Sequence, residues 1–234
     1  MALPQISTPE FFTTLPSSGE KIAFRPFLVK EEKILLMAQN GQDQAEILRA
    51  VITILNNCIK TTLEVEKLAT FDLEWLFLQL RGKSVSELLQ LRLKHQKEGC
   101  GGSTDVEIDI NDIKIVFPED RKDFVMMDDN IGIKLKYPSL DMVDPTKLEE
   151  PTIDDIFDLL DKCIINVFDK EQVYNDFSSQ ELQTFLENLD QTQFNKVVDY
   201  FSNSPKLRHT IEFKCSKCGD VVKYPLEGLL DFFS

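Results

Sequence analysis

Near the end of the chain, in FKCSKCGDVVKY (213–224), two cysteines stand three positions apart with a glycine behind the second. Cys-x-x-Cys-Gly bends the backbone so that both thiolates can face one ion while neighbouring amides point at the sulfurs, and a structural zinc site takes four ligands. Cys215 and Cys218 are therefore half of a zinc site, and the fold, a second copy or a different protein must bring the other half. Inside the chain the candidates are His95 and Cys100, with His209 a third because a strand leading into the pair could carry it back past the metal. His95 and Cys100 lie in a glycine-flanked stretch unlike a compact knuckle, so the sequence favours a site shared with another molecule over one closed within the chain. Two plainer readings stay open, reduced thiols in a surface hairpin and a redox dithiol. The second is disfavoured because the pair does not start a helix after a strand.

The remaining cysteines are Cys58 and Cys163, which sit in apolar helical stripes and read as small hydrophobes in a reducing compartment. A chain of 234 residues with 42% hydrophobic content can build a substantial core. The formal charge of −14 argues against nucleic acid or an anionic membrane as the principal partner. LRLKHQK (91–97) is the richest basic stretch and reads as a solvated face. No run approaches the roughly 20 apolar residues that span a bilayer, and MALPQISTPEFF has no basic region followed by an apolar core, so a soluble, non-secreted protein is expected.

Periodicity divides the chain. After a turn at 16–19, IAFRPF reads as extended, because Arg25 precedes a proline, and leads into a helix from about Val29. A helix over 43–59 follows from Ile47, Leu48, Val51, Ile52, Leu55 and Cys58. Another starts near Asp72 as a cap. It is apolar nearly all round, so Trp75 is expected to be largely buried. SVSELLQLRLKHQ fits both a capped helix (Ser84, Glu87) and a strand (Leu89, Leu91, Leu93). DVEIDI, IKIVF and IGIKLKY alternate as strands and predict an antiparallel meander over 105–137. A linker is expected over 141–152. Helical spacing returns from Ile153 to Val167, then in helices capped by Ser178 and by Asp190. The expected fold is α+β: an N-terminal domain (1–140) of helices and meander, then a C-terminal helical domain (153–234) ending in the cysteine knuckle.

Catalytic signatures are missing: there is no phosphate-binding Gly-x-x-x-x-Gly-Lys loop, nucleophile elbow or His-Glu-x-x-His helix. MDDNIG (127–132) lacks the alternate acidic ligands and closing glutamate of a calcium loop. Asp154, Asp155, Asp158 and Asp161 fall on the polar side of an amphipathic helix. No enzyme is indicated.

The ordered blocks IAFRPFLVKEEKILLMA, FDLEWLFLQLRGKSVSELL, IGIKLKYPSL, SSQELQTFLENLDQTQFNKVVDYFSNSPKLRHTIEFKC and CSKCGDVVKYPLEGLLDFF together resemble the small baseplate hub proteins of T4-like contractile-tailed bacteriophages. The resemblance spans almost the whole chain. It implies a non-enzymatic structural or assembly component of the baseplate hub, made in the host cytoplasm, with a place in the virion tail left open. Its partners would be other hub proteins or a second copy. The family's knuckle carries over onto Cys215, Cys218 and Gly219, and its apolar tail onto Leu226, Gly228, Leu229, Phe232 and Phe233. LLDFF, with Leu229, Leu230, Phe232 and Phe233, is then either a core plug or a docking surface. The competing reading is a zinc-ribbon nucleic-acid-binding protein of phage transcription. It would need a basic face around Lys214, Lys217 and Lys223.

Overall fold

A computed structural model of the protein describes residues 6–41, 43–119, 122–142 and 152–232. In chain order its main elements are β1 (Phe11–Thr14), β2 (Lys21–Phe24), α1 (Val29–Gly41), α2 (Gln44–Cys58) and α3 (Thr70–Ser84). Next come β3 (Leu88–Lys94), β4 (Ser103–Asp109), β5 (Lys114–Val116), β6 (Phe124–Met126) and β7 (Gly132–Leu135). Then follow α4 (Ile153–Cys163), β8 (Ile164–Phe168), β9 (Val173–Tyr174), α5 (Ser179–Glu187), α6 (Gln191–Ser202), β10 (Lys206–Lys214), β11 (Val221–Glu227) and the short α7 (Gly228–Asp231). Helices and sheets are mixed as an α+β protein, and every strand pair among the described residues is antiparallel.

Contacts group the chain into two units, residues 1–65, 71–116 and 206–234, and residues 66–70 with 117–205. The cysteine hairpin thus groups with the N-terminal half, not with the helices just before it. Of the expected linker 141–152, residues 143–151 lie outside the described residues.

In the first unit, β1 and β2 form a hairpin closed by the Leu15 amide on the Glu20 carbonyl at 2.9 Å. Asp43 caps α2 by accepting the Ala45 amide. The chain between β2 and α1 is held by a buried ion pair. Arg25 donates to Glu31 at 3.0 Å, to the Pro26 carbonyl at 2.8 Å and to the Asn57 carbonyl at 3.1 Å, while Glu31 also accepts the Leu28 amide. Burial pushes the Glu31 carboxyl up, but the bonds from Arg25 and Leu28 and the Arg25 charge outweigh it and hold it below its ordinary value. Such a satisfied pair fixes geometry more than it adds stability, yet losing one partner strands a buried charge.

α3 begins at Thr70, earlier than expected, and Asp72 is not its cap. Asp72 is buried inside the first turn and accepts the Ser17 amide at 3.0 Å. Burial raises its pKa against that bond. Phe71, Leu73, Leu76, Phe77, Leu78 and Leu80 are buried, as an all-round apolar helix requires. Trp75 is only half-buried, because its indole nitrogen reaches Thr13 Oγ1 at 3.1 Å and keeps the ring near the rim.

Residues 88–94 are a strand. Leu89, Leu91 and Leu93 alternate inward, and Ser84, instead of capping a helix, accepts the Phe27 amide. The strands expected over 105–137 exist but do not form one meander. β4 pairs back with β3, β5 pairs with β10, and β6 and β7 join β8 and β9. Short links favour sequence neighbours, but closing a longer loop costs only logarithmically more, and burying Ile113 with Leu207, Ile211, Phe213 and Leu226 outweighs it. Leu78, Leu89, Leu91, Leu93, Ile108, Ile110 and Phe232 complete this core.

In the second unit the sheet order is β6-β7-β8-β9. MDDNIG is the β6–β7 turn, with Asp128 accepting the Asn130 and Ile131 amides. The helix expected to reach Val167 stops at Cys163, because Ile164, Ile165 and Val167 are β-branched and continue as β8 against β7. Thr152, Ser178 and Asp190 each open a helix with a complete capping box. Met127, Ile133, Leu135, Leu160, Ile164, Leu182, Leu186, Val197 and Tyr200 form the core.

Candidate metal centre

Two turns of the first unit face each other. One joins β3 to β4 and carries His95 and Cys100; the other joins β10 to β11 and carries Cys215 and Cys218. Each strand pair delivers its ligands by register. Lys94 opposite Ser103 leaves residues 95–102 as the first turn, and Lys214 opposite Val221 leaves 215–220 as the second. The first turn is closed by the His95 amide on the Gly102 carbonyl at 2.8 Å, and the Cys100 amide donates to the Lys97 carbonyl at 3.0 Å. In the second, the Cys215 amide donates to the Asp220 carbonyl at 2.8 Å and the Gly219 amide to the Cys215 carbonyl at 2.9 Å. Gly219 takes a φ of 77°, which a residue with a side chain adopts only with strain.

The ligand atoms of His95, Cys100, Cys215 and Cys218 all lie within 4.8 Å of one another. Bond lengths of about 2.3 Å to sulfur and about 2.0 Å to nitrogen in a tetrahedron set neighbouring sulfurs about 3.8 Å apart and a sulfur about 3.5 Å from a nitrogen. The Cys100 and Cys215 sulfurs are 3.7 Å apart, and Cys218 Sγ is 3.3 Å from His95 Nδ1. The four side chains fit one ion and could hold it. One chain thus brings together a complete ligand set, where the sequence favoured a second molecule as donor. The two turns lie too far apart in sequence for their approach to be read there. His209 sits on β10 opposite Leu226 and is not in the cluster.

Electrostatics favour a cation. The amides of Cys218 and Lys217 aimed at Cys215 Sγ outweigh burial and bring its thiol down to about 6. At the exposed Cys218 the Asp220 amide pulls down, but partial desolvation within the cluster, the Cys100 and Cys215 sulfurs and the Asp220 charge prevail and push the thiol up to about 11. One thiolate therefore forms readily and the next is opposed by its neighbours, a repulsion that a bound cation removes.

The support around the cluster was not read from the sequence. Ser216 donates its amide to Thr104 Oγ1 at 3.0 Å and its hydroxyl to the Ser103 carbonyl at 2.7 Å, and Lys217 Nζ donates to the Cys100 carbonyl. Lys97 pairs with Asp220 at 2.6 Å, holding the Asp220 carboxyl below its usual range. A Cβ on Gly102 would meet Cys215 Sγ at 2.9 Å and Lys217 Cβ at 2.7 Å, so this glycine is what allows the turns to close on each other. The run GCGGS was the available signal.

Of the apolar tail, Phe232 is fully buried in the first unit's core, which makes it a plug. The side chains of Leu229 and Leu230, and Phe233 as a whole, lie outside the described residues. No helix among the described residues is long and apolar enough to cross a membrane.

No curated protein and no solved structure matches the chain. A family model described as T4 bacteriophage base plate protein matches residues 8–234, both turns of the candidate metal centre included. With the match covering nearly all of its 234 residues, the chain belongs to the T4 bacteriophage base plate protein family.

Proposed function

We propose that the protein is a non-enzymatic structural or assembly component of the baseplate hub of a contractile phage tail. It acts by protein–protein contacts and is stapled internally by a zinc ion on His95, Cys100, Cys215 and Cys218. The family match over residues 8–234 carries the baseplate role. The ligand set carries the zinc: three sulfurs and one imidazole nitrogen suit a closed tetrahedral site that leaves no position open for a reacting water. In this role the ion ties the 95–102 turn to the C-terminal hairpin and contributes folding energy instead of chemistry. Assembly would take place in the host cytoplasm, before incorporation into the tail.

The surroundings of the centre favour this reading over a nucleic-acid-binding zinc ribbon. Lys97 is paired with Asp220, Arg92 with Asp105 and Lys223 with Glu212, so three of the cations near the centre already meet carboxylates. Co-expression with the other hub proteins of its phage, followed by a pull-down through this chain, tests the role. A stable complex is expected, whereas a chain that always elutes alone would end the hub reading.

A further inference from the structure

The second unit carries an apolar groove beside α5. Ile131, Val167, Phe168, Phe177, Leu182 and Phe185 line it, and its volume is about 300 Å³. That is the small end of the range for ligand cavities and suits one or two protein side chains. Tyr174 of β9 also borders it. β9 ends the sheet, pairing with β8 alone among the described residues, and it exposes Val173 and Tyr174. A hollow next to an open strand edge is how extended segments are bound, with main-chain bonds along the edge and a side chain in the hollow. The charged side chains at the rim are Asp169 and Glu181, with no lysine or arginine among the lining residues. Asp169 accepts the Glu171 and Gln172 amides and the Tyr174 hydroxyl; Glu181 accepts the Ser178 amide and hydroxyl. These bonds lower both carboxyls, so the rim is negative at neutral pH.

We propose that this groove docks an extended segment of another baseplate protein, one that lays an apolar side chain on the floor and sets a lysine or arginine against Asp169 and Glu181. The proposal rests on the reading that the chain works by protein contacts. A second copy is the poorer occupant, since two acidic rims on chains of charge −14 would face each other. Anionic lipid and nucleic acid meet the same repulsion.

The test places a photoreactive benzoylphenylalanine at position 174 of the full chain, co-expressed with the other baseplate proteins and irradiated. The expected adduct joins position 174 to one other baseplate protein, at a segment with an apolar residue beside lysine or arginine. Tyr174→Asp and Val173→Asp should each weaken that complex by at least about tenfold while the isolated chain still unfolds in one cooperative transition. An adduct within the chain, or to a second copy, overturns the proposal. So does a baseplate complex whose affinity survives both substitutions, and in that case the hub reading still stands. If the wild-type chain binds no baseplate protein at all, the hub reading falls and takes the groove with it.

Discussion

The two units are joined up in opposite ways. In the second, elements meet their neighbours in sequence: β6 pairs with β7, α4 runs directly into β8, and each long helix is started by its own capping box. In the first, residues 206–227 return to meet 88–116, and the two halves of the candidate metal centre come together across sequence separations of 115 and 123 residues. Local devices such as the capping boxes are more prominent in the second unit, although Tyr200 on Leu135 and Lys196 on Met127 also tie it across 65 and 69 residues, and the longest-range ties belong to the first. Buried polar groups follow the same division. Arg25, Glu31, Asp72 and the candidate ligands Cys100 and Cys215 are buried in the first unit, whereas among the described residues of the second Ser139 is the buried polar side chain.

The largest effect is expected from removing one strong buried tie of the first unit, even though Arg25 and Glu31 are near in sequence. Arg25→Ala leaves Glu31 buried with only the exposed Lys30 ammonium, 3.4 Å away, as counter-charge and should destabilise the first unit by up to about 3 to 5 kcal/mol, seen as loss of hydrogen-exchange protection in α1 and α2 while β6–β8 keep theirs. The same pair sets an acid limit. Because the folded Glu31 carboxyl lies below its ordinary 4.5, its contribution is full above that value and lost as pH falls through the folded pKa. Acid should therefore release the clamp, and Glu31→Gln should flatten the stability profile in that window.

Leu186→Ala, in the core of the second unit, is a control of similar size. A cost of about 2 to 5 kcal/mol is expected there, with metal content unaltered. If metal were lost as well, the two units would not be separable in the way argued.

Gly102→Ala probes the close approach of the two turns. Its new methyl meets Cys215 Sγ and Lys217 Cβ, so metal affinity should fall by about 10- to 100-fold, as it does when the groups that support metal ligands are displaced. Competition with a chelating indicator would measure it. An unchanged affinity would mean that the turns have slack that the geometry does not suggest.

The smallest effect belongs to the local devices. Asp190→Ala removes one cap of α6 and should cost about 1 kcal/mol, lowering the melting of the second unit without touching the centre. A loss several times larger would show that the second unit, too, depends on single strong ties.

The same division explains what could be read in advance. Ser178 with Glu181, and Asp190, marked their helices because a capping box is complete within four residues. Leu89, Leu91 and Leu93 could mark a strand but not its partner, and Ile115 gave no hint that it would lie opposite Leu207. The end of α4 was misread because CIINVF keeps an apolar pattern that satisfies helix and strand alike, and only β-branching tips it. His95 and Cys100 were recognisable by residue type. What could not be seen was that β3–β4 and β10–β11 present their turns to each other, so the closed site went unfavoured.

One chain supplies all four side chains of the candidate site. Native mass spectrometry with elemental analysis on the purified full chain tests it most directly. About one zinc ion per chain on a monomer is expected, abolished by Cys100→Ser as surely as by Cys218→Ser. About one zinc per two chains, with a dimer that chelation dissociates, would contradict it, as would thiols that react freely at Cys100, Cys215 and Cys218 with no metal bound.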